Sequence, residues 1–348
     1  MYDVVIIGSS PIAILESVSR SRNGEKVLMI EKRNSIGGAW NTLNIFGFKN
    51  VENAIHYFLP NEKGVDFLIN NLGTEISKTL FKYRIFKIPY FGYLHINYNN
   101  LFSKILDKKI NNSLTWNSLI QIFKDKNKSF YFKYGSPDLI KKVSKILKNS
   151  SVKTKFNFEI DKIVFSQEKV TIYNNENRAF ESKKIIITNG SRLRNVFNKG
   201  KKIDIVEKFQ WRPSVHLLIK ECNEQKVREA IFVKDPLIKY VHNVSAFAEG
   251  DFKKNKIFVV ALQHEIKKTE KIYDQIFKKL VEAKICSKNS ILMESKWSDI
   301  HLPTLFNEDL IKMKELIGGK RLFCLQTESF MDAIGVNSYR WKNINKNK

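Results

Sequence analysis

Tyr2-Asp-Val-Val-Ile-Ile-Gly8-Ser-Ser-Pro-Ile-Ala13 opens the chain, and the reading of this stretch decides the fold. Tyr2 to Gly8 is an apolar run ending in glycine, the pattern of a strand buried on both faces of a parallel sheet. Pro11 to Arg22 reads as a helix, with its proline where a missing N–H costs nothing. Glu25-Lys-Val-Leu-Met-Ile-Glu31 reads as a second buried strand. Strand, turn, helix and strand fill roughly thirty residues, the size of a βαβ unit.

A diphosphate needs close backbone approach and a helix N-terminus aimed at its charge. Gly8, Ser9, Ser10, Pro11 and Ile12 occupy the position of such a loop. The usual spacing is G-x-G-x-x-G; here Ser10 and Ala13 replace the second and third glycines, and both are small. Glu31 ends the second strand 23 residues after Gly8, where an acid takes ribose hydroxyls. The competing reading is an ordinary βα turn with Glu31 as a solvated strand end. The ordered coincidence of loop, helix, strand and acid favours a dinucleotide site.

Glu31-Lys-Arg-Asn-Ser-Ile-Gly-Gly-Ala-Trp40 then places a double glycine just beyond the acid. On these residues the chain resembles the FAD domain of the flavin amine oxidase and protoporphyrinogen oxidase superfamily, which includes UDP-galactopyranose mutase. The resemblance implies FAD, with Lys32, Arg33, Gly37, Gly38, Ala39 and Trp40 in the segment beside pyrophosphate and flavin. Glu52-Asn53-Ala-Ile55-His56-Tyr-Phe58 resembles the stretch that first passes the isoalloxazine. It implies Asn53, Ile55 and His56 as cofactor neighbours, and His56 as the one catalytic candidate. Gly135-Ser-Pro-Asp-Leu-Ile, with the elements up to Ile163, resembles the segment that brings a residue to the adenine, here Ile160. Asn189 and Gly190, ending the strand Lys183 to Thr188, join the expected cofactor residues. Trp297 to Val336 resembles the closing segment, in which Glu328, Gly335 and Val336 would hold the ribityl-pyrophosphate and flavin edge. Two departures stand out: Thr327-Glu328 replaces a Gly-Asp or Gly-Glu pair, and the last helix has one glycine instead of two. The matching segments cover somewhat under half of the chain.

The expected fold is α/β: a discontinuous Rossmann-like FAD-binding domain with a mixed-sheet α+β substrate domain and a partly helical cap. The FAD domain is assigned to 1–50, 135–200 and 297–348, and the substrate and cap domain to 51–134 and 201–296. Helices are expected at Lys63 to Leu72, Leu101 to Leu106, Asp138 to Lys148 (Ser136 or Asp138 near its N-cap), Lys267 to Lys284 and Asp332 to Trp341. Strands are expected at Thr154 to Phe165, Lys169 to Tyr173, Ser214 to Ile219, Ile238 to Ala246, Lys256 to Leu262 and Arg321 to Leu325, while Tyr83 to Pro89 and Phe91 to Ile96 read as short aromatic segments of an inserted region, partly a cap.

The chain of 348 residues is 43% hydrophobic, ample for a large core, and carries 60 basic against 35 acidic residues, net +25. An acidic partner would suit that charge: an anionic small molecule, a nucleic acid or an anionic membrane surface. The lysines are spread along the whole chain, so a lysine-rich composition is favoured and nucleic acid is not expected. Peripheral membrane contact stays open. No apolar run reaches membrane-spanning length, and Met1 leads directly into a strand. Cys222, Cys286 and Cys324 are scattered without metal-ligand spacing, which suits a reducing, cytoplasmic setting and no metal. His95, His216, His242, His264 and His301 read as strand or loop residues, with no pair at metal spacing. GxSxG, P-loop and HExxH motifs do not occur, which removes support for hydrolase, kinase and zinc-peptidase chemistry. Aromatic residues from Tyr83 to Tyr98 and from Phe123 to Tyr134 suit core and cap packing better than a pocket floor. Arg84, Arg212 and Arg340 are candidates for holding a carboxylate or phosphate.

The expected function is an FAD-dependent oxidoreductase that moves hydride from a small organic substrate to flavin. Two alternatives are a sugar-nucleotide isomerase like UDP-galactopyranose mutase, using reduced FAD, and a flavin-binding protein without catalysis. Against the mutase, Leu325-Gln326 stands where that family closes with Gly-Arg.

Overall fold

The computed structural model describes residues 1–54, 72–73, 75–78, 83–88, 92–97, 105, 130–187, 195–203, 208–220, 229–233, 235–252, 254–263, 266–304 and 322–324. Strand β1 (Tyr2–Ile7), helix α1 (Pro11–Arg22) and strand β2 (Val27–Ile30) come first. A 3-10 turn, Gly38–Trp40, leads into the hairpin of β3 (Thr42–Ile45) and β4 (Phe48–Glu52). Four short strands follow: β5 (Ile76–Lys78), β6 (Tyr83–Ile88), β7 (Gly92–Asn97) and β8 (Phe130–Phe132). Helix α2 (Gly135–Lys148) precedes β9 (Lys153–Lys155), β10 (Ile160–Phe165), β11 (Val170–Asn174) and β12 (Ala179–Ile187). A small pair, β13 (Asn195–Asn198) and β14 (Lys201–Ile203), leads to β15 (Lys208–Lys220), β16 (Glu229–Val233), β17 (Ile238–Asn243) and β18 (Asn255–Leu262). Helix α3 (Ile272–Glu282), β19 (Ile291–Thr304) and β20 (Leu322–Cys324) complete the set.

Two large sheets organise these elements. The first, of nine strands, runs β14-β13-β10-β11-β12-β1-β2-β9, with β20 added beside β12. Its main parallel part is β20-β12-β1-β2-β9, and β10 and β13 pair parallel as well. The long β12 serves both halves: 179–182 pairs with β11 antiparallel, and 184–187 continues beside β1. Side chains alternate across a strand, so β1 feeds two cores. Val4 and Ile6 pack with Ala13 of α1, while Val5 and Ile7 pack with Phe158, Ile163 and Ile172. Continuous burial of β1 follows from having cover on both faces.

The second sheet runs β19-β15-β18-β17-β16-β6-β7 and is antiparallel except between β16 and β6. Val215, Leu217 and Ile219 of β15 face α3 through Ile272, Ile276 and Leu280. On the other face Leu218, Ile257 and Val259 pack against Ile45, Phe48 and Val51 of the β3–β4 hairpin. That hairpin therefore sits on the face of the second sheet turned away from α3, and its end, Glu52, meets α2.

Several expected elements change extent. The strand expected from Thr154 to Phe165 is two strands, because Asn157 adopts a left-handed φ of 54° and Phe158 bonds back to Glu31. The helix expected from Lys267 begins at Ile272, the first residue in that stretch that buries a side chain. Neither Ser136 nor Asp138 caps α2: its N-cap position is Tyr134, without a side-chain cap bond. Trp297 and Pro303 lie on β19 in the second sheet, so the domain boundary expected at 297 falls inside a strand of that sheet. Pro303 is tolerated there because β19 is an edge strand among the described residues. The helices expected at Lys63 to Leu72, Leu101 to Leu106 and Asp332 to Trp341 lie wholly or largely outside the described residues. No helix among the described residues is long and apolar enough to cross a membrane.

Candidate functional site

The turn after β1 is built from the sequence inward. Gly8 takes a φ of 100°, a conformation that glycine alone adopts at little cost, and its N–H donates to the Ile30 carbonyl at 2.8 Å. Ser10 is the N-cap of α1; its Oγ accepts from the Ala13 N–H at 3.3 Å, and its carbonyl accepts from Ile14 at 3.0 Å. Pro11 has no N–H, which leaves the Ile12 amide as a first-turn donor that the helix itself does not employ. The positive end of α1 points into this turn.

Glu31 is buried beneath the loop. Its Oε2 accepts from the Ser9 N–H at 3.1 Å and from Ser9 Oγ at 2.6 Å, and its Oε1 accepts from the Arg33 N–H at 3.0 Å. A carboxylate has about four acceptor positions, so Glu31 is firmly oriented and keeps capacity for a further donor. Arg33 in turn donates through Nη1 to the Gly38 carbonyl at 2.7 Å. The Gly37 N–H donates to the Ser9 carbonyl at 2.8 Å. A Cβ on Gly37, whose φ is 116°, would stand 2.9 Å from Ile140 Cδ1 and 3.0 Å from Asn41 Cα. One on Gly38 would stand 3.4 Å from Ser10 Cα. Two loops separated by a strand and a helix thus form one rim around the start of α1.

The remaining expected cofactor residues are dispersed. Lys32 is exposed, and Trp40 is a core residue with its ring 6.0 Å from that of Phe132. Ala39 lies in the 3-10 turn. Ile160 starts β10, two residues beyond Phe158, whose N–H bonds the Glu31 carbonyl. Arg84 is buried on β6, and Arg212 lies on β15. Ile55, His56, Asn189, Gly190, Glu328, Gly335, Val336 and Arg340 lie outside the described residues.

A second polar group was marked by the sequence only at Asn53. Glu52, fully buried at the end of β4, accepts from the Ser136 N–H at 2.5 Å and from Ser136 Oγ at 2.8 Å. It supplies the cap that the α2 sequence lacks locally. Burial pushes its carboxyl up to about 7, against the lowering effect of both Ser136 bonds. Beside it Asn53 donates to Asn41 Oδ1 at 3.1 Å and accepts from Ser298 Oγ of β19 at 2.8 Å. His216 Nε2 lies 2.8 Å from the Glu52 carbonyl. A carbonyl only accepts, so Nε2 carries the proton. Burial holds His216 down to about 4 and His242 down to about 3, so both are neutral at pH 7. His242 stacks on Phe247 with centroids 6.0 Å apart. His216 and His242 are strand residues, as expected, but their burial was not legible. The one sequence signal was an acid closing a short strand next to an apolar residue, Val51-Glu52.

No family model matches the chain. Its fold is shared along nearly its whole length with several solved structures. A putrescine oxidase bound to putrescine superposes with a TM-score of 0.67 at 10% identity, over 99% of this chain and 98% of that one. A putative protoporphyrinogen oxidase from Exiguobacterium sp. 255-15 gives 0.68 at 9% identity, over 99% of each chain. Reduced UDP-galactopyranose mutase gives 0.69 at 9% identity, over 100% of this chain and 94% of that one. At such identities the likeness is one of fold.

Proposed function

We propose that the chain binds FAD at the Gly8 turn and acts as an FAD-dependent oxidoreductase of the amine-oxidase and protoporphyrinogen-oxidase-like type. The observation that carries this reading is the assembly of Glu31, Ser9, Arg33 and the Gly37–Gly38 pair around the N-terminus of α1. The residues fit the group. Gly38 lies against Ser10, where a Cβ would stand 3.4 Å from Ser10 Cα, the helix end favours a diphosphate, and Glu31 is an oriented acceptor for ribose hydroxyls.

When bound, FAD supplies a two-electron acceptor for hydride from a small organic substrate. The chain supplies position and charge. The α1 terminus with its Ile12 amide would face the pyrophosphate, and Glu31 would hold the adenosine ribose. Asn53, Ile55 and His56 would border the flavin, with His56 the catalytic candidate. Ile160 would meet the adenine, and Asn189, Gly190, Glu328, Gly335 and Val336 would close the far side. Domains 1–50, 135–200 and 297–348 would form the FAD unit, apart from the β19 residues that pair in the second sheet. The fold shared with oxidases supports this, and Leu325-Gln326 argues against the mutase chemistry.

The absorption spectrum of the purified protein is the test. Flavin bands, or their appearance on adding FAD, are expected, together with bleaching and peroxide release on exposure to a panel of amines. Colourless protein that takes up no FAD would overturn the cofactor assignment. A flavin-loaded protein silent with every donor would overturn the oxidase.

A further inference from the structure

We propose that Glu52 is a positioning residue of this site: a single ionisable strut that ties the N-terminus of α2 to the face of the second sheet and so sets where Asn53 enters the space between them. The proposal rests on the FAD reading for its functional meaning, while its geometry stands alone.

Three elements meet on Glu52. Its carboxyl holds both the amide and the hydroxyl of Ser136 on α2. Its own carbonyl accepts a hydrogen bond from the Nε2–H of His216 on β15. The next residue, Asn53, is gripped from two sides, by Asn41 beyond the Gly37–Gly38 turn and by Ser298 on β19. Gly135 completes the fit, because a Cβ there would lie 2.8 Å from Glu52 Oε1 and 2.8 Å from Phe247 Cγ. The chain that leaves this clamp is the one expected to pass the flavin. A change in the carboxyl therefore acts on the approach to the site without Glu52 touching cofactor or substrate.

The strut responds to pH. Among the described residues the displacement of its carboxyl has two origins, burial and Ser136. His216 on β15, which meets the Glu52 carbonyl, is held neutral, as is His242 on β17, stacked on the Phe247 that borders Gly135, and Lys296 on β19 acts on His216. Asp138 on α2 is paired with Lys142 at 2.7 Å. A proton leaving Glu52 near neutrality thus puts a negative charge in the buried clamp, where the amide and hydroxyl of Ser136 donate to it.

The experiment uses the full chain, loaded with FAD, and its Glu52→Gln and Ser136→Ala variants. The flavin absorption band is followed as pH is varied through neutrality. Wild type is expected to show a one-proton spectral transition centred near 7. Glu52→Gln should abolish it, and Ser136→Ala should move it to higher pH, because a donor to the carboxylate is lost. A transition unchanged in Glu52→Gln, or none in flavin-loaded wild type, overturns the proposal. If the chain takes up no FAD, the cofactor reading fails and the strut is still decided. Amide exchange at Ser136 and the emission of Trp40 should then carry the same transition in wild type and lose it in Glu52→Gln. Flat profiles in both proteins would sink it.

Discussion

Gly135 carries two constraints at once. Its φ of 69° lies where a side chain costs roughly 1–2 kcal/mol. A Cβ there would also stand 2.8 Å from both Glu52 Oε1 and Phe247 Cγ. Gly24 separates these effects, since its φ is 86° but nothing lies within 4 Å of its Cβ position. Gly24→Ala should therefore cost only the backbone term. Gly135→Ala should cost that plus about 1–3 kcal/mol for crowding the contact. Urea unfolding of the two variants measures the difference, and equal losses would mean that Glu52 is not tightly held. Glu31 gives the contrasting residue. It too is buried, and its carboxylate takes the Ser9 amide and hydroxyl and the Arg33 amide, where Glu52 takes the amide and hydroxyl of Ser136 on α2.

The two N-capped helices show why one element was legible and its neighbour's start was not. For α1 the signals are local: Ser10 caps, Pro11 occupies the first turn, and the observed span, Pro11–Arg22, is the one the sequence predicts. Ser10→Ala should lower stability by about 1 kcal/mol, read as a shift in the urea midpoint at unchanged slope. A change in slope would mean that the variant alters more than a cap. For α2 the capping carboxylate comes from Glu52, 84 residues earlier, and no sequence window contains both partners. Strand lengths obey the same logic. Continuous apolar residues announce β1, whereas β15 extends to Lys208–Lys220 because β19 is there to pair with it, a fact about the partner. The Gly8 turn, Glu31 and Gly37–Gly38 were readable because their spacing is short and chemically constrained. The Glu52, Asn53 and His216 clamp was only half readable. Asn53 came through resemblance, and His216 looks in sequence like any strand histidine.

At the scale of the whole molecule, the β3–β4 hairpin and Glu52 join two sheets, and the buried titratable groups there set a pH profile of stability. Glu52 has an ordinary value of 4.5 and a folded value of about 7, so the unfolded chain releases its proton first. Its stabilising share is fully present below 4.5 and lost as pH rises towards 7. His216 and His242 act with opposite sign, since their folded values of about 4 and about 3 lie below the ordinary 6.5. Their contribution is present above 6.5 and lost as pH falls through that window. Between 4.5 and 6.5 the three together leave a net of one proton, two from the histidines less one from Glu52, so their summed effect is stability rising with pH. Above 6.5 Glu52 alone still acts, and the rise turns to a slight fall ending near 7. Glu52→Gln should remove that opposition, and measuring the variant against wild type cancels every other acid in the chain. Relative to wild type, the variant should gain about 3 kcal/mol in passing from below 4.5 to above 7, at about 1.4 kcal/mol per pKa unit. Denaturant unfolding at the two ends of that range reads the difference directly. A constant offset between the two proteins would show that the Glu52 carboxyl titrates alike folded and unfolded, and would leave the pH response of the junction to His216 and His242.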